Sequence, residues 1–382
     1  MRIKLHYLIL AFLAVSITGC AALQSKKPKG AASAKSKPKP KKGEIKPYAK
    51  VITKEAKTDE GLFTVHQIDN SYFYEIPDSL FGREMLMVTR IAKTATGLGF
   101  GGGKQNTSVL RWEVKDKKVL LRVVSHQVYA ADSLPISEAV KNSNFEPVLY
   151  AFDIKAYHKD TIGDTRNTVI DASELFKKDV KPLGLPQFRR KGFKVTRLDE
   201  KRSYIDTIRS YPRNIETRHV KTYAASAPPS NSATGSLSVM MSNSMILLPE
   251  TPMKRRYFDQ RVGWFARGQT DYGQEAQKSK TVRYLDRWRL EVKDEDLAKF
   301  NRGELVEPKK QIVYYVDRAT PKKWIPYIKQ GIEDWQVAFE AAGFKNAIIA
   351  KDPPTPEEDP DWSPEDVRYS VVRYLASPIP NA

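Results

Sequence analysis

The chain contains one cysteine, Cys20, in 382 residues. No intrachain disulfide can form, and no thiolate cluster can hold a metal. Histidine is scarce too: His6, His66, His126, His158 and His219 are scattered along the chain. None lies within a helical turn of another. The H-E-x-x-H arrangement, which places two metal ligands on one helix face, is absent. No Ser/His/Asp or Cys/His nucleophile arrangement can be assembled. Long apolar runs are also missing, because Leu8–Val15 is too short to span a bilayer. Helical periodicity is rare before Pro321. Stability must therefore come from core burial. The 335 residues from Tyr48 to Ala382 are ample for it, and at roughly 150 residues per domain they suggest two or three domains.

The N-terminus carries an address. Arg2 and Lys4 form a basic start, an apolar stretch follows, and the segment ends in Ile17-Thr18-Gly19-Cys20. Residues 1–20 thus read as a cleaved signal peptide. Its last residues look like the lipobox of bacterial lipoproteins, in which Cys20 is lipidated and becomes the first residue of the mature protein. Ala21 after it resembles the pattern that sends lipoproteins to the outer membrane, so the expected location is the cell envelope. Residues 21–47 hold nine lysines against one acid, Glu44. Such a Lys/Pro-rich segment buries no core and is expected to be a disordered tether. The chain carries a formal charge of +19, and roughly half of that excess lies in the tether and signal. Next to a lipid anchor it suits an anionic membrane surface. A nucleic-acid partner is not expected, because the tether interleaves no aromatic residues with its lysines.

From about 48 to 290 the pattern is β-rich. Met85–Ile91 is an apolar run. Val109–Val114 alternates, and Val119–Val124 follows the turn Lys115–Lys118, which predicts a hairpin. Further strands are expected at Pro147–Ile154, Lys194–Arg197, Tyr204–Arg209, Ile215–Tyr223, Ser236–Leu248 and Val282–Val292. Ser137–Asn142 and Ala172–Phe176 are at most short turns. Gly97-Leu98-Gly99-Phe100-Gly101-Gly102 fits G-x-G-x-x-G, but a strand follows it, whereas a dinucleotide fingerprint needs a helix there. The run reads as a flexible hairpin loop whose mobility could serve as a flap. Asp352–Asp366 is acidic and proline-rich. It lacks the ligand spacing and turn glycine of an EF-hand, so a solvated loop is expected.

The most organised stretch is Lys309–Ala350. Gln311–Val316 is strand-like, Thr320 can cap a helix, and Pro321 suits its first position. Trp324, Ile328, Ile332, Trp335, Phe339 and Ala342 share one helical face. Gly343 stops the helix and Ala347–Ala350 is a second strand. Strand, helix, strand predicts a βαβ crossover. Only an acidic loop and the strand-like Val367–Leu375 come after it, with no second helix to cover the other face. The fold class expected is α+β: a β-rich region, possibly of two subdomains, then the incomplete start of an α/β domain over 309–382.

Asp317-x-x-Thr320-Pro321-x-x-Trp324, followed by Ile328–Phe344, resembles a family of bacterial zinc-dependent metalloproteases of metzincin type. Ala350–Pro354, Asp366–Ser370, Phe100–Gly103, Arg202–Asp206, Met245–Pro249 and Asp259–Phe265 agree with the same pattern. The resemblance covers nearly all of Tyr48–Ala382. It implies β-rich N-terminal domains of unknown function and a catalytic domain that opens with strand, helix, strand. It also implies a zinc helix, H-E-x-x-H-x-x-G-x-x-H, whose glutamate acts on a metal-bound water, and a peptide or protein substrate. That helix is not in this sequence. No catalytic, cofactor-binding or zinc residue is carried over, and the chain as given is expected to bind no catalytic zinc and cleave nothing.

Two readings follow. One is the N-terminal portion of a lipid-anchored secreted metalloprotease. The other is a non-catalytic surface lipoprotein that binds a peptide, glycan or protein partner through its β-rich region. Tyr72, Phe73 and Tyr74 would serve as contacts only if exposed; as aromatics they read first as core or edge-strand residues.

Overall fold

A computed structural model describes residues 44–159, 166–230, 232–275 and 278–377. The expected signal peptide, Cys20 and most of the expected tether lie outside the described residues. The first strands are β1 (Lys57–Asp59), β2 (Thr64–Ile68), β3 (Ser71–Pro77), β4 (Glu84–Lys93), β5 (Lys104–Lys115), β6 (Lys118–Val124) and β7 (Val128–Tyr129). Helix α1 (Ile136–Ser143), β8 (Val148–Lys159), β9 (Arg166–Asp171), α2 (Ser173–Lys177) and α3 (Gln187–Gly192) follow. Then come β10 (Val195–Leu198), β11 (Tyr204–Tyr211), β12 (Asn214–Ala225), β13 (Ser236–Leu247), β14 (Ala266–Asp271) and β15 (Lys280–Leu285). The last elements are α4 (Leu297–Asn301), β16 (Ile312–Val316), α5 (Ile325–Glu333), α6 (Gln336–Ala341), β17 (Ile348–Lys351) and β18 (Ser370–Val372).

The β-rich expectation is met by one twelve-stranded antiparallel sheet in the order β1-β2-β3-β9-β8-β6-β5-β4-β13-β12-β10, with β11 also on β12. The sheet curls until β11 meets the start of β2. Leu62 N–H donates to Tyr211 O at 2.8 Å, and Ser210 Oγ donates to Phe63 O at 2.6 Å. Near-closure hides the two edges that an open sheet would offer for stray pairing. Alternate residues point inward. Phe63, Tyr74, Trp112, Phe152 and Phe176 meet edge-on or tilted at the centre, with centroids 5.5–6.5 Å apart. Ile91, Leu98, Leu185, Tyr223, Leu237 and Met241 form a second apolar cluster.

Several expectations need correction. Ser137–Asn142 and Ala172–Phe176 are not turns but the short helices α1 and α2. Val282–Val292 stops being a strand at Leu285. The Gly97–Gly102 loop is pinned rather than free: Leu98 is buried at 3 % exposure, and Arg189 Nη1 donates to Leu98 O at 2.6 Å. Ile45 packs against the barrel core and Lys46 N–H donates to Lys155 O at 2.8 Å, so the last residues of the tether run join the fold.

The C-terminal unit is a parallel sheet, β17-β16-β18. The single helix expected from 321 is broken into α5 and α6, and Thr320 caps neither. Around Trp335 the backbone tightens from four- to three-residue spacing, with Trp335 N–H on Ile332 O at 3.4 Å. The break frees two side chains for the strand. Glu333 Oε1 accepts from Ala350 N–H at 3.2 Å, and Gln336 Oε1 from Ala347 N–H at 3.0 Å. These bonds cover the edge of β17. Tyr315 meets Trp362 and Tyr369 at 5.6 Å each, so the proline-rich loop covers that face in place of a second helix.

Candidate functional site

Outward-facing residues of β4, β12 and β13 form the floor of a cavity of about 500 Å³. The register sets Arg218, Ser242 and Arg90 in one cross-strand row and Glu216 beside Ser244 in the next. The segment 364–376 forms the roof and contributes Tyr369, Val371, Arg373, Tyr374 and Leu375. Gly101 and Gly102 close one end. Gly102 has φ +92°, and a Cβ there would lie 2.9 Å from Leu375, so a larger residue would push the roof away.

The roof is held by polar bonds from the barrel. Tyr211 OH donates to Ser363 Oγ at 2.9 Å, and Asn214 Nδ2 donates to Glu365 O at 2.9 Å. Val367 N–H donates back to Asn214 Oδ1 at 3.0 Å, and Arg218 pairs with the Glu365 carboxylate. Asp366, expected on a solvated loop, is 1 % exposed and gripped by Arg368 at 2.6 Å. On the far side Arg373 pairs with Asp317 at 2.8 Å, which ties the roof to the parallel sheet.

Glu216 lies on the floor at 2 % exposure, with both oxygens taken by the Ser242 and Ser244 hydroxyls. Burial pushes its carboxyl towards the neutral acid, while the two serines and the Arg90 and Arg218 charges pull the other way. The arrangement can hold a ligand with one charged end.

A second polar cluster surrounds Glu75, which is 3 % exposed. Its carboxylate accepts from Tyr48 OH at 2.8 Å, His66 Nε2 at 3.1 Å, His158 Nδ1 at 2.7 Å and Asn167 Nδ2 at 2.8 Å. Burial alone would raise the Glu75 pKa, but the bonds from His66, Asn167, His158 and Tyr48 outweigh it and hold the group at about 2. The Tyr48 ring stacks on His158 at 4.0 Å. The structure thus gathers two histidines that sequence spacing kept apart.

A third row runs inside the barrel. Asn243 Oδ1 accepts from His219 Nε2 at 2.5 Å, and Asn243 Nδ2 donates to Thr89 Oγ1 at 2.7 Å. Lys221, fully buried, donates to Phe176 O at 2.6 Å and to Lys178 O, which satisfies the end of α2. Burial lowers His219 to about 3 and Lys221 to about 8. Tyr72 and Tyr74 are core residues at 6 % and 0 % exposure, and Phe73 is half-buried.

Among the described residues no group of three or more His, Cys, Asp or Glu side chains is placed to hold a metal, and no helix is long and apolar enough to cross a membrane.

Fold and sites together define a nearly closed antiparallel barrel roofed at one cavity by the tail of a small parallel α/β sheet. Residues 102–293, just over half of the chain, match the family described as "Domain of unknown function (DUF5117)", and the chain belongs to that family. Residues 45–94 match "Domain of unknown function (DUF5118)". No curated protein and no solved structure matches the chain. The boundary between the two matched segments falls in the glycine loop joining β4 to β5. Strand β4, from the first segment, sits between β5 and β13 of the second, so both segments build one sheet.

Proposed function

We propose that this chain is the N-terminal portion of a lipid-anchored, secreted zinc-dependent metalloprotease of metzincin type. In this reading the barrel is a platform, and 309–382 is the front of the catalytic domain. The reading places the protein in the cell envelope, anchored through Cys20 to the outer membrane, with a peptide or protein substrate for the full-length form. The observation that carries it is the parallel β17-β16-β18 sheet with its helical crossover, clamped to the barrel through Glu365, Val367 and Arg373. The stretch that most resembles the protease family, Asp317–Phe344, supplies this crossover. Trp324, Tyr327, Trp335 and Val337 on its helices expose 46–73 % of their surface, which suits a face that further chain covers. No described residue is assigned to zinc, and no catalytic step is assigned to this chain.

The test is to sequence the coding DNA past the Ala382 codon and translate all frames. An H-E-x-x-H with a third histidine downstream is expected. Its absence from every frame overturns the proposal.

A further inference from the structure

The barrel–roof cavity sets two arginines, Arg90 and Arg218, on its floor and a third, Arg373, in its roof. Neighbouring strands lie about 4.8 Å apart, so Arg90 and Arg218 flank Ser242 with their backbones roughly 10 Å from each other. Arg218 is paired with Glu365, and Arg373 with Asp317. Arg90 differs. Among the described residues no carboxylate forms an ion pair with it, and its side chain makes one hydrogen bond, from Nη1 to Ser244 Oγ at 3.3 Å. The nearby Glu216 oxygens are both occupied by serine hydroxyls. A half-buried guanidinium carries five fixed donors, and a carboxylate is the group that matches its fork.

The rest of the lining is apolar. Ala92, Ile246, Val371, Tyr374 and Leu375 share the walls with the polar floor. A volume of about 500 Å³ falls in the range of small-molecule sites, which are typically about 300–1,000 Å³.

We propose that this cavity binds a small organic carboxylate with an apolar body, its anionic end on Arg90 and Ser244 and its body against Val371, Tyr374 and Leu375. The ligand would bridge barrel and roof, and would therefore strengthen their attachment. The carboxylate can come from a peptide C-terminus or from a free fatty acid.

Isothermal titration calorimetry on the purified full chain tests this, with N-acetyl-phenylalanine and octanoate as probes and N-acetyl-phenylalanine amide as control. At least one acid is expected to bind with a Kd below about 1 mM, and the preferred acid tells which source of carboxylate fits. The amide is expected to bind at least about tenfold more weakly than its acid. Arg90→Gln should cost a similar factor while Arg90→Lys retains part of the affinity, with thermal melts confirming that both variants fold. Hydrogen exchange of 364–376 should slow on addition of the binding acid. Equal binding of acid and amide, unchanged affinity in Arg90→Gln, or no binding of either acid at about 10 mM would each overturn the proposal.

Discussion

Glu75 does the most work of any single carboxyl in the barrel wall. It collects four side-chain donors from β2, β8, β9 and the residue that leads in from the tether. Glu75→Gln removes the negative charge and one acceptor position while leaving the buried donors in place. A loss of roughly 1–3 kcal/mol in urea unfolding is expected, since stranded buried donors cost about that much. The pH dependence has a definite sign. The folded group titrates at about 2 against an ordinary 4.5, so its contribution is fully present above about pH 4.5 and fades as pH falls towards 2. Urea midpoints between pH 2 and 5 should fall less steeply for Glu75→Gln than for the native chain. Parallel slopes would mean that Glu75 is not the group concerned. Little of this was legible in the sequence. An acid within Tyr72–Ile76 looks like an outward residue, and only strand pairing brings His66, His158 and Asn167 to it. The same limit hid the interior row: Thr217, His219 and Lys221 occupy inward positions of β12, where alternation leads one to expect apolar residues. The one available signal was that β12 is polar on both faces.

At the scale of elements, the long strands β4, β5, β6, β8, β12 and β13 were readable, whereas β1, β2, β3, β9 and β14 and the break in the last helix were not. Alternation locates β5 because Leu110 and Trp112 on one face are buried while their neighbours are not, a local property. The Lys115–Lys118 hairpin was equally local. The break between α5 and α6 is a tertiary effect, since Glu333 and Gln336 satisfy N–H groups on a strand up to 17 residues away. Gly343, the expected helix stop, sits at φ +92° just past α6, and a Cβ there would come 2.5 Å from the Phe300 ring. Phe300 in turn packs on Phe344 at 5.5 Å. Gly343→Ala therefore meets both backbone strain and a clash, and should cost on the order of 1–3 kcal/mol. Amide exchange in 336–351 should accelerate while the barrel strands stay unchanged. Pairing it with Phe300→Ala should relieve the clash and leave the φ penalty. If Gly343→Ala exchanges at the native rate in this segment, the turn tolerates the side chain and the packing of Phe300 against Gly343 and Phe344 is wrong.

At the scale of the molecule, closure could not be read from sequence. It depends on residues 59–63 reaching β11, about 150 positions later, and nothing local announces that contact. Closure also decides where stability lies. The barrel has a continuous core from Phe63 to Met245, whereas the parallel sheet rests on the small cluster of Val306, Phe344 and Ala347. Regions with few buried apolar contacts open first. Hydrogen exchange on the full chain should therefore be slowest in β5, β12 and β13 and clearly faster in 312–351. The roof, 364–376, should be intermediate, because the barrel grips it by the hydrogen bonds of Asn214 and the Arg218–Glu365 pair. Asn214→Ala separates these contributions. It removes the bonds to Glu365 O and from Val367 N–H, and should bring the exchange of the roof up to that of the parallel sheet without moving β12 or β13. Uniform protection from 57 to 372 would instead show that the α/β unit and the barrel open as one cooperative body, and the platform would then be the whole chain rather than the barrel.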